Sequence, residues 1–257
     1  MTDLPIIGLR AETAVIGDLH LDPFDSQTCG SFREWTQSLQ VSRLIVMGDL
    51  FDAWVGPAHQ AAPGSQLVLQ AFRELAQRDV AVNVLQGNRD FLLGESFERA
   101  GSCRVFPEGL IGVQRDGRRI LFLHGDELCT KDLPYQRLRR LTHSRLVQRW
   151  GPRLPLFLSG RIAKRMRRIS TKAVAMKLSA EKEIQESAGA ERLRQARAHV
   201  LVCGHVHRSR DCELGEAGRW LILDAWRAGP LDAVRISAQE KPQLVSSDGF
   251  SGAPQIQ

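Results

Sequence analysis

Thr13-Ala-Val-Ile-Gly-Asp-Leu-His20 and Leu44-Ile-Val-Met-Gly-Asp49 share one design: a short apolar run, a glycine, then a side chain able to bind a metal. Three more stretches vary it. They are Val80-Ala-Val-Asn-Val-Leu85 before Gly87-Asn-Arg-Asp90, Ile120-Leu-Phe-Leu123 before His124-Gly-Asp126, and Val200-Leu-Val202 before Gly204-His-Val-His207. Short β-branched or apolar runs followed by polar, glycine-containing turns read as buried strands. Trp220-Leu-Ile-Leu223 reads as a sixth. Between the strands, Phe32, Trp35 and Leu39 fall on one helical face, as do Val68, Phe72, Leu75 and Ala76. Alternating strands and helices predict a layered α/β fold around a buried sheet. Arg115-Asp-Gly-Arg118 predicts a hairpin, so part of the sheet is expected to be antiparallel.

The chain has 257 residues, enough for one large domain or a core with a sizeable insertion. With 43% hydrophobic and 25% charged residues its composition is that of a globular protein, and no apolar run is long enough to span a bilayer. Met1-Thr-Asp-Leu-Pro5 lacks the basic start and apolar core of a secretory signal. The five cysteines are scattered without the pairing of a disulfide framework, so a reducing cytoplasm is expected. The net charge of +6 is concentrated. Thirteen Lys and Arg and no Asp or Glu lie between Leu133 and Ala180, which leaves the remainder acidic overall. So basic a segment suits phosphate, nucleic acid or an anionic membrane surface.

Strand signals stop in the same region. From about Tyr135 to Arg197, Leu138, Leu141, Leu146 and Val147 suit a helix, Gly151-Pro-Arg-Leu-Pro155 breaks it, and a second helical stretch starts at Leu156. The expected organisation is an α/β core over 1–134 and 198–240, an inserted helical lid over 135–197, and a weakly ordered polar tail over 241–257.

Ligands at successive strand ends converge in the crevice outside the carboxyl edge of a sheet. Asp18, His20, Asp49, Asn88, His124, His205 and His207 offer carboxylate, amide and imidazole donors. These suit manganese, iron, zinc or cobalt, and the motif positions hold no cysteine for a structural thiolate site. If one carboxylate is shared, seven donors give four to each of two ions and leave positions open for water and substrate. Two ions about 3.5–4 Å apart activate water, polarise a phosphoryl oxygen and orient an in-line attack. Other residues carry less. Cys129 and Cys203 read as packing, and His59, His143 and His199 lie outside the motifs and are expected to bind nothing. Asp126 is expected either to orient His124 or to stabilise its turn.

This order of motifs, from Ala14 to about Trp226, resembles the calcineurin-like metallophosphoesterase superfamily. The resemblance implies a four-layer α/β (α+β) architecture, a β-sandwich flanked by helices. It implies Asp18, His20, Asp49 and His207 at one metal, and Asp49 as the bridge with Asn88, His124 and His205 at the other. A narrower likeness lies in Gly48-Asp-Leu-Phe-Asp-Ala-Trp54, Gly87-Asn-Arg-Asp-Phe-Leu-Leu-Gly94 and His124-Gly-Asp-Glu-Leu-Cys-Thr-Lys-Asp132, with Tyr135, Arg161-Ile-Ala-Lys-Arg-Met166 and Ala225-Trp226. These are similar to the UDP-2,3-diacylglucosamine pyrophosphatases of lipid A synthesis. That family carries a helical lid where this chain has its basic insertion. The likeness implies cleavage of UDP-2,3-diacylglucosamine to UMP and 2,3-diacylglucosamine 1-phosphate with two divalent ions, typically Mn2+. It places catalysis on Asp49, Asn88, Arg89 and His124, and substrate contacts on Asn88, Arg89, Asp132, Tyr135, Ser170, Lys177 and His205. Val174 stands where the family has an Asn, and its apolar side chain cannot make that hydrogen bond.

Arg89 stands where many relatives in the wider superfamily have a His. A guanidinium stays charged and cannot serve as a general acid, but its planar fork holds phosphoryl charge. A phosphate leaving group, with a second pKa of about 6, departs without being protonated. Arg89 therefore points to a pyrophosphate rather than a simple ester. Leu154, Leu156, Phe157, Leu158, Ile162 and Met166, set among Lys and Arg, suit acyl chains drawn from an anionic surface, and equally suit seating on the core. The expectation is peripheral contact with the cytoplasmic face of the inner membrane and no obligate protein partner. The alternative is a nuclease or nucleotide phosphodiesterase on the same metal core, its insertion gripping a nucleic-acid backbone. Nucleic acid is disfavoured because the insertion offers few stacking platforms: His143 and Trp150, besides Tyr135 and Phe157. A non-catalytic scaffold would have lost ligands, and none is missing.

Overall fold

Successive side chains of a strand point to opposite faces, so a strand that is apolar on both must be covered on both. This alternation builds the protein in layers. The computed structural model describes residues 4–153, 184–226 and 232–250. Its strands are β1 (Ile6–Leu9), β2 (Thr13–Ile16), β3 (Arg43–Val46), β4 (Ala81–Leu85), β5 (Arg104–Phe106), β6 (Leu110–Gln114), β7 (Arg119–Phe122), β8 (Val200–Cys203), β9 (Arg210–Glu213), β10 (Arg219–Ile222), β11 (Asp232–Ile236) and β12 (Gln243–Ser246). The described helices are α1 (Ser26–Ser38), α2 (Pro63–Gln77), α3 (Glu95–Gly101), α4 (Leu133–Thr142), α5 (Arg145–Trp150) and α6 (Glu186–Ala196).

Two six-stranded sheets result, in the orders β1-β6-β7-β8-β10-β9 and β12-β11-β2-β3-β4-β5. Val15, Ile45, Met47 and Leu85 of the second sheet meet Ile120, Phe122, Val200, Val202 and Leu221 of the first, forming a dry layer between the sheets. The alternate residues Ala14, Ile16, Leu44, Val46, Val82 and Val84 face outward onto Phe32, Phe72 and Phe97 of α1, α2 and α3. On the far side Leu121, Leu201, Cys203, Trp220 and Ile222 take Leu193 of α6. The chain thus has the four-layer, helix-flanked sandwich expected of it.

All six expected strands form, and the hairpin at Arg115–Arg118 joins β6 to β7 in antiparallel register. Gly117 turns it at φ +84°, in the left-handed region that favours glycine. Beyond the six expected strands, β1, β5, β6, β9, β11 and β12 complete the two sheets. Most of these are edge strands with exposed, charged or mixed side chains, and only the backbone ladder reveals them. Within the stretch expected to be a weakly ordered tail, β12 pairs antiparallel with β11. Phe250 is buried there, and the Arg235 guanidinium lies 5.0 Å over its ring. Backbone hydrogen bonding orders this segment without an apolar pattern. α6 falls within the span expected to form the lid, yet Leu193 seats it on the first sheet. The second helical stretch expected from Leu156, and Val174 with it, lies outside the described residues.

Trp220 is fully buried under α6, and its indole N–H donates to Cys203 Sγ at 3.0 Å. Trp220→Ala should cost about 3–5 kcal/mol, read as a lower urea midpoint; a loss under about 1 kcal/mol would show that α6 contributes little to this layer.

Candidate metal centre

β2, β3 and β4 run parallel, as do β7, β8 and β10, so each set delivers its carboxyl ends to one edge. Asp18 and His20 follow β2, Asp49 follows β3, Asn88 and Arg89 follow β4, His124 follows β7, and His205 and His207 follow β8. The loops lock to one another through Asp18 N to Gly48 O (3.2 Å), His20 N to Asp49 O (2.9 Å) and Gly204 N to His124 O (2.9 Å). Asp18, His20, Asp49, His205 and His207 all adopt positive φ, between 47° and 73°. A non-glycine residue so held costs about 1–3 kcal/mol, although Asp and His tolerate the region better than most. Two glycines allow the approach: a Cβ on Gly87 would collide with the Asp49 carboxylate, and one on Gly204 with that of Asp18.

The donor atoms gather in two overlapping groups, Asp18, His20 and His207, and Asp18, Asp49 and His124. Asp18 is common to both, and Asp49 stands between His20 and His124. Asp49 Oδ2 is 3.7 Å from His20 Nδ1 and its Oδ1 is 3.8 Å from His124 Nε2. His207 Nε2 is 3.8 Å from Asp18 Oδ1 and 2.9 Å from His20 Nε2. Asn88 Oδ1 contacts His124 Nε2 at 3.1 Å, and the His205 ring lies 5.1 Å from that of His124. Asp18 Oδ1 and His20 Nδ1 are buried and hydrogen-bonded to nothing among the described residues. Buried polar atoms left in this way are costly, and oxygen and imidazole donors with no thiolate among them fit divalent ions.

The electrostatics lead to the same conclusion. Burial first, then the neighbouring Asp90 and Asp18, push the Asp49 carboxyl up to about 8, and burial likewise raises Asp18. Burial, with Arg89 beside it, drives His20 down to about 2. Burial and His124 drive His205 down to about 3. At His124 burial opposes charge, but Asp49, Asp18 and Asp126 outweigh it and lift the imidazole to about 9. The cluster holds protons where cations would otherwise compensate its charge.

The surrounding residues hold these groups in place. His124 Nδ1 contacts the Met47 carbonyl at 2.9 Å, and it is this bond that orients the ring. Asp126 is engaged elsewhere, accepting from the Tyr135 hydroxyl and, at 2.9 Å, from Arg139 Nε. Arg89 places Nε 3.5 Å from Asp49 Oδ2 and Nη1 on Asp52, while its neighbour Asp90 is fully buried and accepts from Gly87 N and Phe51 N. Tyr135 sets its ring 5.9 Å from that of His205, and Asp132 caps α4 by accepting from Tyr135 N at 3.1 Å. Ser170 and Lys177 lie outside the described residues. Cys129 and Cys203 are buried packing groups, and none of the five cysteines is in a disulfide. Of His59, His143 and His199, the first contacts the Ala53 carbonyl, the second that of Arg139, and the third accepts from Arg119 N. Sequence reasoning missed Asp52 and Arg139. Asp52 lies inside the Gly48–Trp54 motif and was within reach, but nothing marks Arg139 among its basic neighbours.

The chain belongs to the calcineurin-like phosphoesterase family, whose pattern matches residues 12–209, and it is a hydrolase. Within that family it is 35% identical over 216 residues to the UDP-2,3-diacylglucosamine hydrolase of Sodalis glossinidius, which spans 83% of this chain and 90% of the relative. It is 34% identical over 224 residues to the protein of that name from Pectobacterium carotovorum subsp. carotovorum, again covering 83% of this chain and 90% of the relative. Among solved structures, a dimetal phosphatase from Danio rerio aligns with a TM-score of 0.47 at 11% identity, over 92% of this chain and 99% of that one.

Protein stripped of metal by a chelator should lose stability as pH rises from about 7.5, one unit above the free imidazole, to about 9. In that window folded His124, and folded Asp49 up to about 8, retain protons that the unfolded chain has largely released, whereas His20, His205 and His207, all depressed by burial, are almost wholly neutral in both states. Thermal unfolding at several pH values checks this; a Tm that stays level or climbs across the window would contradict it.

Proposed function

We propose that the chain hydrolyses the pyrophosphate bond of UDP-2,3-diacylglucosamine, giving UMP and 2,3-diacylglucosamine 1-phosphate for lipid A synthesis. The observation that carries this reading is Asp49. It presents one oxygen to His20 and the other to His124, with Arg89 Nε 3.5 Å away, in a chain about a third identical to hydrolases named for that substrate.

Asp18, His20, Asp49 and His207 would hold one divalent ion, and Asp49, Asn88, His124 and His205 the other. Manganese suits this mixture of carboxylate, amide and imidazole donors. When bound, the ions supply an activated water and Lewis-acid polarisation of the phosphoryl group. Arg89, steadied by Asp52, presents a permanent positive charge beside the centre. It cannot donate a proton at working pH, so its contribution is to hold the negative charge that develops on the departing phosphate. Such a role belongs to an anhydride, whose leaving group needs no proton. His205 and Tyr135, with rings side by side, would line the path of the substrate, with Asp132, Ser170 and Lys177 as further contacts.

The insertion over 135–197 is proposed as the lid. Leu133, Leu138, Leu141, Leu146 and Trp150 are exposed on and around α4 and α5, among the exposed Arg137, Arg140, Arg149 and Arg153. Apolar residues in a basic setting support acyl-chain binding and peripheral contact with the anionic cytoplasmic face of the inner membrane. No helix among the described residues is long and apolar enough to cross a membrane.

Purified protein with manganese should release UMP from UDP-2,3-diacylglucosamine, and thorough chelation should abolish release. Full activity after chelation would sink the proposal. Arg89→His should lower turnover of this anhydride by about 100-fold, measured under saturating metal; a rise would overturn the role given to Arg89. Deleting roughly Leu141 to Met166 should spare a small chromogenic phosphodiester and abolish turnover of the acylated substrate, whereas equal loss on both would count against a lid.

A further inference from the structure

Glu127 sits one residue beyond Asp126 in the turn after His124, and it meets two helices far apart in sequence. Its Oε2 accepts from Arg139 Nη2 of α4 at 3.5 Å, and its Oε1 lies 3.2 Å from Arg192 Nη2 of α6. In the chain, α4 precedes residues 154–183 and α6 follows them. No other acid among the described residues has an ion pair with both helices. Arg139 turns its Nε to Asp126, which also accepts from the Tyr135 hydroxyl. Tyr135 in turn lies beside His205. Contacts therefore run from α6 through Glu127 to α4, and from α4 through Asp126 and Tyr135 to the metal centre.

The two helices are not held alike. α6 buries Leu193 and Gly189, whereas α4 has no buried residue. A helix without a buried apolar stripe keeps its place through polar contacts. For α4 these are Tyr135 and Arg139 on the Asp126–Glu127 turn, with Gln136 Nε2 donating to the carbonyls of Asp126 and Cys129.

We propose that Glu127 is a positioning residue: by pairing with Arg139 and Arg192 together it fixes α4 against the packed α6 and so sets where Tyr135 stands over the metal centre. It touches neither the donor cluster nor, on this assignment, the substrate. The inference rests on the proposed function only for the choice of substrate in its kinetic test.

Glu127→Gln keeps the shape and removes the charge, Arg192→Gln removes one partner, and Arg192→Lys restores the charge. Hydrogen exchange should show the amides of α4 opening about fivefold faster in E127Q and R192Q, with β7 and β8 unchanged and R192K close to the parent. With manganese, the KM for UDP-2,3-diacylglucosamine should rise about fivefold in the same two variants. Its kcat, and the hydrolysis of bis(p-nitrophenyl) phosphate, should stay as in the parent. Unchanged exchange in α4, or faster exchange throughout with equal loss on both substrates, overturns the proposal. If the parent protein does not cleave the acylated substrate, the functional reading fails, and the exchange experiment alone decides the role of Glu127.

Discussion

Like charges and imidazoles do not gather inside a protein without a reason, and here they occupy the junction of the two sheets. Asp18, Asp49, Asp90 and His124 are almost wholly excluded from water, with His20 and His207 close around the first two carboxylates and His205 beside His124. Desolvation works against every charge in that cluster. Among the described residues Arg89, protons and backbone N–H groups donating to Asp18, Asp49 and Asp90 offset it in part. The cluster persists because the surrounding structure over-determines it. Two parallel sets of strands aim their carboxyl ends at one point, backbone bonds tie the loops together, and glycines at 87 and 204 leave the space that the Asp49 and Asp18 carboxylates occupy. The left-handed backbone at five donor residues is part of the same constraint. A site held at such cost is poised for cations rather than built for stability.

The same constraint organises what lies outside the cluster. The turn after His124 orients that imidazole through the Met47 carbonyl, and it also presents Asp126 and Glu127 as an anchor for α4. Helix α4 is thus attached at the loop that carries a donor. Arg89 completes the arrangement from the β4 side. With Asp52 on one nitrogen and Asp49 near another, its fork is held in place beside the donor cluster.

How much of this was legible in the sequence varied with the physics. The strands ending at Asp18, Asp49, Asn88, His124 and His205 could be read because burial on both faces demands an uninterrupted apolar run. The donors could be read because each follows such a run within a few residues. Strands β9 and β12 could not, since an edge strand is specified by backbone pairing and its side chains are free to be polar. The Asp126–Tyr135–Arg139 contacts were hidden for a related reason: basic residues crowd α4, and the sequence alone does not mark which of them turns inward.

By itself, then, the sequence determined the layered α/β class, the strand order of the donors and the chemistry they offer, because hydrophobic periodicity and residue type are local properties. Tertiary structure decided that the strands divide between two sheets, that Asp49 stands between His20 and His124, and that Asp126 and Glu127 pair with arginines of α4 and α6. Each of these depends on distances between groups far apart in the chain, and such distances are fixed only when the sheets pack and their loops meet.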